Sequence, residues 1–112
     1  MDINKFADEL LSALAELGFF KRVVIQPEGP IVSGYAYIYD TFYLRYYFNE
    51  ITGTTAFALI KNERRIWGVD YDNHRGWHLH PIDDPTMHIN TQKLTIDEIM
   101  DLLEDVLEDM SP

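Results

Sequence analysis

Residues 64–80 read RRIWGVDYDNHRGWHLH, and this stretch decides the fold. Arg64 to Tyr71 has the β-branched and aromatic content of a strand, and Trp77 to Ile82 reads as a short last strand. Asp72 to Gly76 lies between them with the polar and glycine residues of a tight turn. A link this short joins antiparallel strands, because a parallel crossover needs about a dozen residues or more. The stretch is therefore a hairpin. Pro81 sits where a strand ends or where an edge strand lacks a donor.

Working outward toward the N-terminus, the same grammar repeats. Thr54 to Lys61, Phe42 to Asn49, Ile31 to Tyr39 and Phe19 to Gln26 are strand-like. Asn62-Glu63, Thr52-Gly53, Asp40-Thr41 and Pro27-Glu28-Gly29-Pro30 separate them as turns. In Ile31 to Tyr39 the residues alternate, with Ser33, Tyr35, Tyr37 and Tyr39 on one face. Asp2 to Leu17 changes period: Ile3, Phe6, Leu10, Leu14 and Leu17 recur at helical spacing, with Asp2 as N-cap and Gly18 as terminator. Toward the C-terminus, Asp83 to Lys93, including Asp84-Pro85, reads as a connection. Thr95 and Glu98 then form a capping box before the apolar stripe Ile96, Ile99, Leu103, Val106, Leu107 and Met110. The expected architecture is one α+β domain over residues 1–112: a single antiparallel sheet of five or six strands carrying both terminal helices. If both pack on one face, the other face is left open and rich in tyrosine.

The chain of 112 residues carries a formal charge of −10, unevenly placed. Residues 95–112 hold seven acids and no base, whereas 19–94 hold eight of each. The acidity belongs to the helices, so it does not by itself exclude a nucleic-acid partner at the sheet. The chain has no cysteine, which excludes disulfides and thiolate-ligated zinc. No apolar run approaches the ~18 residues of a membrane span, and the N-terminus lacks the basic start and apolar run of a signal peptide. A cytoplasmic protein with no membrane partner is expected.

The chemistry-bearing residues gather in the hairpin. His78 and His80 stand two apart on a strand, so both imidazoles share a face, roughly 6.5–7 Å apart at their bases. His74, Asp72, Asn73 and Arg75 lie in the turn, Asp70 ends the preceding strand, and Arg65 opens it. Histidine titrates near neutrality and suits general acid–base work. Such a pair flanking a scissile phosphate, with an arginine for the developing charge, is an RNA-cleaving arrangement that needs no cofactor. The same imidazoles, with His74 as a third ligand, would alternatively hold a divalent ion such as zinc. A third reading makes the histidines ordinary exposed residues, or part of an interface in a non-catalytic module.

Arg65-Ile66-Trp67, Asp72-Asn73-His74 and His78-Leu79-His80, with the tyrosine-rich strands and small size, resemble the TumE-like family, the toxin component of a type II toxin–antitoxin pair. The resemblance implies a toxin that acts on RNA, is held by an antitoxin protein, and uses Asp72, Asn73, His74, His78 and His80. Homodimerisation through sheet edges or tyrosine faces is the expectation of the non-catalytic alternative.

Overall fold

The computed structural model describes residues 1–84 and 86–110. Pro85, read above as part of the connection, lies outside the described residues. The elements in chain order are α1 (Ile3–Leu17), β1 (Arg22–Glu28), β2 (Ile31–Tyr39), β3 (Phe42–Asn49), β4 (Thr55–Lys61), β5 (Arg64–Asp72), β6 (Gly76–His80), β7 (Ile89–Asn90) and α2 (Ile96–Met110). The seven strands form one antiparallel sheet in sequence order, each paired with the next. The α+β architecture is as expected, but the sheet has seven strands where five or six were expected. The additional one, β7, is two residues long. It is too short to show the alternation by which a strand is read from sequence, and it forms only because β6 offers it an edge.

Turn chemistry sets the register. Asn62 and Glu63 both take positive φ, 51° and 69°, the geometry of a two-residue hairpin loop whose twist matches its strands. Gly76 (φ 71°) closes the β5–β6 loop. Both helices begin where their caps fall, and α1 also ends at one. The Asp2 carboxylate accepts from the Lys5 N–H at 2.8 Å, and Gly18 terminates α1 at φ 72°. The Thr95 hydroxyl accepts from the Glu98 N–H at 3.1 Å, while the Glu98 carboxylate accepts from the Thr95 N–H at 3.0 Å.

One face of the sheet carries the core. Val32, Ala36, Leu44, Tyr46, Phe48, Phe57, Leu59, Trp67 and Val69 pack with Phe6, Leu10 and Leu14 of α1 and with Ile96, Ile99, Leu103 and Leu107 of α2. Phe6 stacks on Phe48 with centroids 4.6 Å apart. Because side chains alternate along a strand, the residues between these core positions point away from the helices. That second face carries Tyr35, Tyr37, Tyr43 and Tyr47, which adjoin each other on β2 and β3, and it carries the histidines of β6. Tyr35 and Tyr43 meet edge-on at 5.5 Å, and the Arg22 guanidinium lies 4.6 Å over the Tyr37 ring. Among the described residues, no helix is long and apolar enough to cross a membrane.

Candidate functional site

The site is built by cross-strand register on the open face. Asp70 of β5 stands directly opposite His78 of β6, and Gly68 opposite His80. The Asp70 carboxylate therefore reaches both imidazoles: its Oδ2 is 3.0 Å from His80 Nε2 and 3.5 Å from His78 Nε2. Arg65 joins them because of a β-bulge. Leu59 pairs with Trp67 but Ile60 pairs with Arg65, leaving Ile66 as the extra residue. Strict alternation would put Arg65 on the core face with Trp67; the bulge turns it to the open face. Its stem crosses Gly68, where a Cβ would stand 3.6 Å from Arg65 Cδ. Its guanidinium ends 3.9 Å from Asp70 Oδ2 and 3.4 Å from His80 Nδ1.

These neighbours assign the ring protons. A guanidinium only donates, so His80 Nδ1 presents its lone pair to Arg65, and the proton sits on Nε2, donated to Asp70. A carbonyl only accepts. His78 faces an acceptor with each nitrogen, Nδ1 3.3 Å from the Gly76 oxygen and Nε2 3.5 Å from Asp70 Oδ2, and the shorter approach favours the proton on Nδ1. His78 Nε2 is left facing the carboxylate as the nitrogen able to take up a proton or a metal.

The burial of the pair excludes the reading of exposed hairpin residues: His78 is 3% and His80 1% accessible. Their cover includes a residue that sequence reasoning left out of the cluster. β7 pairs with β6 through His78–Asn90 and Leu79–Ile89, and this brings His88 back over the site. The His88 ring centroid lies 4.4 Å from that of His80 and 5.3 Å from that of His78. One nitrogen from each of His78, His80 and His88 falls within 4.8 Å of the others, so this cluster can hold a metal ion. The third imidazole is thus His88 and not His74, the residue nominated from sequence. The only signal for it was an apolar residue, Ile89, immediately after a histidine.

The other nominated residues form the turn. Asp72 Oδ1 accepts from the backbone N–H groups of His74 (2.9 Å) and Arg75 (2.8 Å). The Arg75 N–H is the largest influence holding the Asp72 carboxyl below its ordinary range. Asn73 accepts from the Tyr71 hydroxyl at 3.1 Å. Asp72 and Asn73 thereby shape the loop, and the His74 and Arg75 side chains are exposed on it.

The His88 imidazole is held below its usual value of 6.5, first by lost hydration, then by the charges of His80, His78, Arg75 and Arg65. A histidine with a lowered folded pKa binds its proton more readily when unfolded. Its contribution is therefore present above about 6.5 and is lost as the pH falls through the lowered value. NMR titration is expected to find His88 below 6.5, moving upward in Arg75→Ala, which removes an exposed charge. A His88 that titrates at 6.5 in both proteins would contradict its placement over the pair.

Asp70 and Arg65 also line a groove on the open face, together with Ser33, Tyr35, Arg45, Tyr47, Ala56 and Ala58. The buried histidines are not among the groove's lining residues, and Asp70, with 24% of its side chain accessible, lines the groove and reaches both of them. No family model, no curated protein and no solved structure matches the chain.

Proposed function

We propose that the chain is a toxin-like ribonuclease whose chemistry is centred on Asp70 and its two histidines. One observation carries the reading. A single carboxylate oxygen is shared by His80, His78 and Arg65, and the carboxylate opens onto a groove. In this reading an RNA 2′-hydroxyl attacks the adjacent phosphorus, the bond from phosphorus to the 5′-oxygen breaks, and that oxygen leaves with a proton from the solvent in the groove, giving a 2′,3′-cyclic phosphate and a free 5′-hydroxyl. Asp70 accepts the 2′-hydroxyl proton and passes it to His78 Nε2, 3.5 Å away, from which it is later returned to solvent. The His80 N–H holds the carboxylate in place, and the Arg65 guanidinium stabilises the charge gathering on the phosphoryl oxygens. An antitoxin protein would hold such a toxin in check, as the TumE-like resemblance implies. Cytoplasmic residence is part of the same reading.

A second reading of the same centre is favoured by the convergence of three imidazoles: a zinc-class ion on His78, His80 and His88, with Asp70 beside it. That ion would compete with Arg65 for His80 Nδ1, or with Asp70 for Nε2, and so the metal-free reading comes first. The test is cleavage of a labelled single-stranded RNA by the protein before and after chelation. Cleavage that survives chelation and disappears in His78→Ala supports the metal-free reading. Cleavage that stops on chelation and returns with zinc supports the second. No cleavage by a folded protein contradicts both, and leaves a non-catalytic module, homodimeric or antitoxin-binding.

A further inference from the structure

The groove beside Asp70 has a construction of its own. The pairings on the open face run as two adjacent rows: Tyr35–Arg45–Ala58–Gly68–His80, and Ser33–Tyr47–Ala56–Asp70–His78. The small residues fall in the middle. Ala56 and Ala58 make a trough floor along β4, with the larger side chains of β3 on one side and, on β5, Asp70 and Arg65 on the other, the Arg65 stem lying over Gly68. Neighbouring strands are ~4.8 Å apart, so the β3 and β5 backbones flanking this floor are separated by roughly 10 Å. A single chain of nucleotides fits such a trough, whereas a base-paired duplex does not enter it.

The walls supply what an unpaired nucleotide needs. Arg45 is exposed and makes no hydrogen bond or ion pair with the described residues. Its guanidinium is thus available to an anion from outside the chain. Across the floor, the Arg65 stem is held against Gly68. Tyr47 flanks Arg45 two residues along the same strand, and Tyr35 stands opposite Arg45 on β2. Tyr35 is braced by Tyr37 and Tyr43, at ring separations of 5.9 and 5.5 Å, so its ring is offered in a fixed orientation. Alternating guanidinium and aromatic groups along one wall match the alternating phosphate and base of a single strand.

We infer that this trough is a subsite for one unpaired nucleotide, its base against Tyr35 and Tyr47 and its phosphate between Arg45 and Arg65. The inference rests on the ribonuclease reading and gives it a substrate class: single-stranded RNA, presented to Asp70 from the β3 side. The small floor is part of the subsite, since any larger side chain at Ala56 would fill it.

The test is binding of a fluorescent six-nucleotide 2′-O-methyl RNA, which has no free 2′-hydroxyl to react, against the same sequence as a blunt duplex. The protein is expected to bind the single strand and to discriminate against the duplex. Arg45→Ala is expected to weaken single-strand binding about tenfold, and Tyr47→Ala about tenfold, with Arg45→Lys retaining part of the affinity. Arg45 is exposed, so its replacement leaves the fold intact and keeps the test decisive should Tyr47→Ala be unstable. Equal binding of duplex and single strand, unchanged affinity in Arg45→Ala, or no single-strand binding overturns the inference. Binding that follows this pattern without cleavage of unmodified RNA sinks the catalytic reading alone. Cleavage with groove variants unaffected sinks the subsite alone.

Discussion

Asp70→Asn is expected to lower the rate of RNA cleavage by about 10²–10⁴-fold while the protein stays folded. The substitution keeps the size and planarity of the side chain and removes its charge and its capacity to accept a proton. In the folded protein Asp70 Oδ2 receives the His80 Nε2 proton, faces His78 Nε2 and lies within reach of Arg65. An amide oxygen can still accept from His80, so the buried rings keep a partner and the packing survives. The route for the proton into His78 is gone. Stopped assays on a labelled single-stranded RNA, with circular dichroism to check the fold, would measure the loss. A rate within about threefold of the unsubstituted protein would remove Asp70 from the chemistry and the proposed mechanism with it.

The largest effect on stability is expected at Gly34, far from the histidines. A Cβ there would collide with the Val24 carbonyl oxygen and with the Tyr46 ring. Gly34 faces Ile25 across the β1–β2 ladder and Tyr46 across the β2–β3 ladder. Tyr46 uses the space the glycine leaves to donate its hydroxyl to the Val24 oxygen at 2.7 Å. Burial, with the neighbouring Tyr37 adding to it, pushes the Tyr46 phenol above its ordinary range, so it remains a donor. Gly34→Ala must move the β1 backbone or displace the ring, and loses that bond as well. Forcing a methyl into a packed site and breaking a buried hydrogen bond together cost about 2–4 kcal/mol. Urea unfolding would show a lower midpoint. Since Ser33 and Tyr35 flank Gly34, single-strand binding is expected to weaken in parallel. An unchanged midpoint would mean that β1 is held to the sheet less closely than its register indicates.

Much of this arrangement was legible in the sequence, because it rests on local chemistry. Asp2, Gly18, Thr95 and Glu98 mark both helices, and Asn62-Glu63 and Asp72-Gly76 mark hairpin turns, although the order of the strands across the whole sheet could not be read from them. The alternation of Tyr35 and Tyr37 announced an aromatic open face. What the sequence left unread depends on pairing between distant residues. β7 is two residues with no pattern of their own, so it was absorbed into the connection, and His88 was lost with it. His74 is closer in sequence to His78 and sits on the same hairpin, yet the turn leaves its side chain exposed while the returning chain lays His88 on the pair. The burial of His78 and His80 has the same origin, since part of their cover is His88. The position of Arg65 turns on one extra residue, Ile66, and Arg-Ile-Trp does not distinguish a bulged strand from a regular one.

The central claim is that Asp70, His78, His80 and His88 form one connected site. Histidine ring 15N–1H spectra of the unsubstituted protein and of Asp70→Asn test it most directly. The expected spectra show a proton on Nε2 of His80 and on Nδ1 of His78. Losing the Asp70 charge is expected to shift the signals of His78, His80 and His88 together while those of His74 stay in place. Four histidines that respond independently, or a His74 that moves while His88 does not, would contradict the claim.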